Sequence, residues 1–185
     1  MVLSAICAPA RWSPMMAALT ICWPDLDSPS VFTALLDGDE AGLFTIAPER
    51  PNARRQQIYL PDSNVLQTRW LDEDGAVELT DWMPILTEEN TAPRLVRRVY
   101  AVKGDSRICL SCSPRLDYAR AETTAKEERN SIVFQADGQR SMRLTGSKTL
   151  TLEGATAVAE FTLKEGESAT FVWLRRRPAG HGRRP

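Results

Sequence analysis

Three small groups of residues in this sequence have side chains suited to chemistry. Asp25 and Asp27 sit with Trp23 in a proline-flanked loop. Paired carboxylates are the equipment of an inverting glycosidase, whose acid and base stand about 6.5–9.5 Å apart across the sugar, and Trp23 could stack on a sugar ring. Aspartates beside prolines also make local hydrogen bonds to backbone N–H groups, and this structural reading outweighs the catalytic one. Arg97 and Arg98, with Arg115 ahead of Asp117 and Tyr118, could form a charge-assisted network. A solvated face or a domain contact is the preferred reading for these arginines.

The third group, Cys109 and Cys112, has the spacing of a metal or redox pair. It lies in an alternating strand pattern, where an odd separation sends the two thiols to opposite faces. Cys7 and Cys22 lie far off in sequence, and the single histidine, His181, is near the C-terminus. Packing cysteines are therefore expected, with no zinc site. The sequence has no Gly-rich phosphate loop, Ser-x-x-Lys or Gly-x-Ser-x-Gly element. Accordingly no catalytic, metal or cofactor-binding residue is assigned, no cofactor is expected, and substrate-binding residues are left unknown.

The elements that must position these groups are mostly strands. From Gly42 onward, short period-two segments recur, separated by turn signals. The clearest hairpin joins Val65–Leu71 to Ala76–Trp82 through Asp74-Gly75. Leu95–Val102 and Arg107–Cys112 pair across Gly104, and a meander over residues 131–152 leads to two final strands containing Phe161 and Trp173. Residues 117–130 lack an apolar stripe and are expected to form an exposed excursion, helical in part at most. One short helix is expected near residues 29–36: Ser28 caps it, Pro29 opens it, Gly38 stops it, and Phe32, Leu35 and Leu36 form its buried stripe. The expected fold is an all-β, two-sheet antiparallel sandwich of about eleven strands with that helix.

Size and charge fit one soluble domain: 185 residues, 43% hydrophobic, with 23 basic and 24 acidic side chains. Five arginines (Arg175, Arg176, Arg177, Arg183, Arg184) fall in the last eleven residues, leaving a net charge of −6 over residues 1–174. Residues 175–185 are expected to be a disordered, solvated tail, without the aromatics that would suggest a nucleic-acid partner. No apolar run approaches the ~20 residues of a membrane helix. No basic n-region precedes the N-terminal apolar patches, and the expected compartment is the cytoplasm.

Four blocks together resemble the N-terminal domain of bacterial glycoside hydrolase family 15 enzymes, the trehalase-like and glucoamylase-like group. They are Trp23-Pro24 with Ser28-Pro29-Ser30-Val31-Phe32 and Leu35-Leu36-Asp37; Tyr59 through Trp70; Thr80-Asp81-Trp82-Met83-Pro84; and Leu95 through Val99 with Pro114-Arg115-Leu116-Asp117-Tyr118. The resemblance covers residues 22–174 and implies a non-catalytic β-sandwich. Its partner would be an (α/α)6 barrel carrying two catalytic glutamates, with an α-glucoside as the possible ligand. No residue of that barrel has a counterpart here, so the chain is expected to be a fragment of an inverting α-glycosidase, inactive alone. The alternative is a free-standing carbohydrate-binding or protein-interaction sandwich. The resemblance fails over residues 1–21. Back-translating residues 4–20 with chosen synonymous codons and shifting the frame by two restores the family's preceding motif, with Trp12, Met15 and Met16 allowing no codon choice. Residues 1–21 are therefore expected to be a frame-shifted, non-native segment.

Overall fold

The computed structural model describes residues 17–19, 29–32, 42–88 and 92–175. Among them are thirteen strands: β1 (Ala17–Leu19), β2 (Leu43–Pro48), β3 (Arg54–Tyr59), β4 (Leu66–Asp72), β5 (Gly75–Trp82), β6 (Arg94–Lys103), β7 (Ser106–Ser113), β8 (Thr124–Glu128), β9 (Ser131–Gln135), β10 (Met142–Gly146), β11 (Thr151–Glu153), β12 (Thr156–Leu163) and β13 (Ser168–Arg175). They build a five-stranded sheet in the order β1-β2-β7-β12-β11 and an eight-stranded sheet in the order β3-β4-β5-β6-β13-β10-β9-β8. Every pairing is antiparallel. The chain is the all-β sandwich that the period-two alternation predicts.

The two inner faces supply the core. Trp70, Val77, Leu79 and Val99 from the larger sheet and Phe44, Ile46, Leu110 and Ala157 from the smaller one are all buried. Phe32, Phe44, Phe134 and Trp173 form one ring cluster, with Trp173 centred 5.3 Å from Phe32 and 5.6 Å from Phe134. Such tilted pairs are worth about 0.5–1.5 kcal/mol each beyond the area they bury. Gly146 leaves room for the Phe171 ring, since a Cβ there would come within 2.7 Å of it.

Two elements differ from expectation. The four described residues of the expected helix, Pro29 to Phe32, are not helical, and Phe32 makes a β-bridge. The carbonyls of Ser30 and Val31, which a helix would turn toward residues 34 and 35, instead accept from the N–H groups of Tyr118 and Arg115. Leu35 and Leu36 lie outside the described residues. The expected excursion over residues 117–130 contains β8, because pairing with β9 satisfies its backbone without needing an apolar stripe. Of residues 1–21 only β1 is described, and it lies antiparallel to β2. Backbone pairing makes few demands on side chains, so β1 is compatible with a native or a shifted reading frame.

Candidate functional site

The described parts of the family-like blocks come together at one end of the sandwich, where β2 and β6 begin and β5, β7 and β13 end. One row of residues crosses the larger sheet there: Tyr59, Leu66, Asp81, Arg97, Phe171 and Gly146. Arg97 points inward, and its Nη1 donates to the Phe44 carbonyl on the other sheet at 2.7 Å. The row therefore lies on the inner face. Exposure rises along it toward the edge strand: Arg97 is buried at 1%, Leu66 is half-buried and Tyr59 is 68% exposed. The smaller sheet thus covers the centre of the larger one and leaves its β3 side open.

Arg97 forms the network that the sequence left as the lesser alternative to a solvated face, and the preferred reading is corrected for this residue. Its Nε and Nη2 donate to the two carboxylate oxygens of Asp81 at 2.9 and 3.0 Å, a bidentate fork. Its guanidinium carbon also lies 4.6 Å from the centre of the Phe44 ring. Each of the three guanidinium nitrogens thus donates to a protein acceptor, Asp81 being partly buried and the Phe44 carbonyl lying in the core, and this is why a buried arginine is tolerated. The adjacent Arg98 points the opposite way, as strand alternation requires, and is exposed near Tyr100.

Arg115, Asp117 and Tyr118 belong to a clasp on the segment Ser30–Phe32. Arg115 N donates to Val31 O at 2.9 Å and Tyr118 N to Ser30 O at 3.1 Å, while Leu116 is buried beneath. Asp117, Tyr118 and Ala119 have φ of 56°, 55° and 63°, so three successive non-glycine residues hold a left-handed turn. Each carries steric strain that the surroundings must offset. Arg120 does part of this, reaching back to the Asp117 carboxylate at 2.7 Å and lying over the Tyr118 ring. The tip exposes Tyr118.

Next to the open row lies an apolar shelf. Met83, Ile85 and Leu86 follow β5, and all three are exposed, Ile85 at 85%. Asn64 Nδ2 donates to Met83 O at 3.2 Å, bringing the 60–65 turn beside them. The last residue of β13, Arg175, pairs with Met142 at this same end. At the opposite end Arg50 ties three turns together through the Asp72 carboxylate, Ser106 Oγ and the Asp105 carbonyl, lining an open cleft. Both Glu160 and Glu49 hold the nearby Arg107 guanidinium above its ordinary range, the Glu160 hydrogen bond contributing most.

Asp25, Asp27 and Trp23, the sugar-site candidates, lie outside the described residues, as do His181 and the arginines after Arg175. Trp70 and Trp173 are buried and Trp82 is half-buried, so these three do not form an exposed aromatic row. Cys112 is not disulfide-bonded and packs in the core, as a packing cysteine should. Cys109 is disulfide-bonded, a correction to the expectation for it, and its partner lies outside the described residues. Among the described residues no three His, Cys, Asp or Glu side chains gather as a metal would require.

The family described as trehalase-like, N-terminal matches residues 2–175. The chain belongs to this family. It is similar to a trehalase of Mycobacterium tuberculosis, 33% identical over 188 residues, which covers 88% of this chain and 27% of that protein. A trehalase of Mycolicibacterium smegmatis is 32% identical over 182 residues, covering 83% of this chain and 26% of the relative. Over 65 residues, 35% of this chain and 11% of the other, the identity to trehalase 1 of Sulfolobus acidocaldarius is 45%. The chain thus spans about a quarter of the length of the mycobacterial relatives.

Proposed function

We propose that this chain is the non-catalytic N-terminal sandwich of a glycoside hydrolase family 15 enzyme of the trehalase or glucoamylase type. Its Tyr59–Met83–Ile85 end docks on an (α/α)6 catalytic barrel that acts on trehalose or another α-glucan. The observation that carries the reading is the apolar shelf at the end where β13 finishes. Large side chains left this open favour contact with a further protein surface. The carboxylates nearest this end support a structural role, because Asp81 and Asp117 are each held by an arginine rather than facing one another across a cleft. The cytoplasm fits the few, irregular cysteines. The Cys109 disulfide weighs against it, and alkylating thiols before lysis decides between the two.

The test is to assay the purified chain on trehalose and maltooligosaccharides, then to add the separately produced remainder of a mycobacterial relative. No turnover is expected from the chain alone. Association with the remainder is expected, weakened at least tenfold by Met83→Asp with Ile85→Asp. Hydrolysis by the chain alone, or association indifferent to both substitutions, would overturn the proposal.

A further inference from the structure

We propose that the disulfide of Cys109 closes on Cys7, and that this bond straps the residues ahead of β1 across the outer face of the smaller sheet until it is reduced. The chain has four cysteines, and Cys112 is not bonded. Counting therefore leaves Cys7 and Cys22 as the partners open to Cys109.

Register separates the two. Cys109 stands opposite Ala47 on β2, and β1 lies on the other side of β2, with Ala17 opposite Ile46 and Leu19 opposite Phe44. β1 thus begins one residue from the level of Cys109 and runs away from it. Along that line Cys22 falls six residue rises from Cys109, about 20 Å, whereas bridged cysteines hold their Cα atoms within about 7 Å. The chain after Leu19 must also reach Ser30 and Val31, whose carbonyls accept from Tyr118 and Arg115 beyond the far end of β7. Cys7 is placed better. Two strand spacings and one rise put Ala17 about 10 Å from Cys109, and the chain from Cys7 to Ala17 can span roughly three times that.

The surface around Cys109 calls for such a strap. Ile108 and Leu110 are core residues, so alternation turns Cys109 out of the sandwich; Thr45 and Ala47, which alternate with Phe44 and Ile46, turn the same way. Even so, Cys109, Thr45 and Ala47 are only 8%, 2% and 8% exposed. Beside them the same face is open, with Arg107 and Glu160 exposed and paired to each other. A covered patch on the outside of a sheet needs a segment laid over it, and a bond from that patch to Cys7 supplies one. Closing the bond takes two electrons and two protons from the thiols; a small disulfide such as oxidised glutathione accepts both and leaves as two thiols. A dithiol reverses the exchange. The bond ties an exterior segment rather than the two sheets, so reduction should free that segment and leave the sandwich folded.

The experiment equilibrates the chain with oxidised glutathione, alkylates it in urea and maps it with trypsin without reductant. Cys7 then lies on the peptide ending at Arg11, Cys22 on the one beginning at Trp12, and Cys109 with Cys112 on residues 108–115. The first peptide is expected joined to the third through Cys109, with Cys22 and Cys112 outside any protein cross-link. Cys7→Ser should abolish the link and Cys22→Ser should keep it. In the folded chain a cut after Arg11 should release residues 1–11 only when dithiothreitol is added, with a cooperative melting transition remaining. A peptide joining Cys22 to Cys109, or oxidation that joins no cysteines, overturns the proposal; so does a sandwich that unfolds on reduction.

Discussion

At the scale of single residues, the molecule turns on one buried charge. Arg97 reaches its partners only because Asp81 lies directly opposite on β5 and Phe44 offers a carbonyl from the facing sheet. Removing the carboxylate strands a cation where water cannot reach it, so Asp81→Ala should cost about 3–5 kcal/mol in urea unfolding. Replacing both partners, as Arg97→Met with Asp81→Leu, should cost much less than the sum of the single changes. A loss below about 1 kcal/mol for Asp81→Ala would mean that the fork is solvated. In the sequence, Arg97 and Arg98 were indistinguishable in type. Only the inward parity shared with Leu95 and Val99 marks Arg97, and parity argues for burial only once both sheets are in place. Nothing in residue type announces that Cys109 is disulfide-bonded while Cys112 is not.

At the scale of elements, alternation made the sheets legible because a strand with one buried face must repeat every two residues. The hairpin at Gly75 was legible for a further reason: its φ is 152°, and a Cβ there would fall 2.0 Å from the Lys103 carbonyl oxygen, so the turn needs glycine. The helix starting at Pro29 failed for a reason no local rule contains. Ser28, Pro29 and the spacing of Phe32, Leu35 and Leu36 are sound helix signals, but the carbonyls of Ser30 and Val31 are taken by a loop over eighty residues away. Tertiary hydrogen bonds outbid a short helix, which has little stability of its own. The bridge residue is still a core residue, as its apolar character required. Phe32→Ala should cost about 3–5 kcal/mol, since it opens the ring cluster against Phe44 and Trp173. An unchanged urea midpoint would show that the segment docks without bearing on the core.

At the scale of the whole molecule, four blocks scattered through the sequence are recognisable, but the convergence of their described parts on one end is not, because topology decides which strand ends share a side. The exposed shelf is similarly invisible in sequence: Tyr59 obeys the inward parity of the core and is left open only because the smaller sheet stops short of it. One feature of the larger sheet bears on how the molecule comes into being. β6 lies at its middle, with β5 on one side, made just before it, and β13 on the other, made some seventy residues later. At about 5–20 residues per second, a newly synthesised chain holds that seam open for roughly 4–15 s, with the inward row of β6 uncovered. Nascent chains halted before Ser168 should be cut by protease within Leu95–Lys103, and chains that have released Arg175 should resist; equal resistance in both would mean that something else covers the seam. Until β13 leaves the ribosome, the future centre of the sheet is an open margin, and the buried guanidinium of the finished fold spends that interval in water, where its charge keeps the margin soluble.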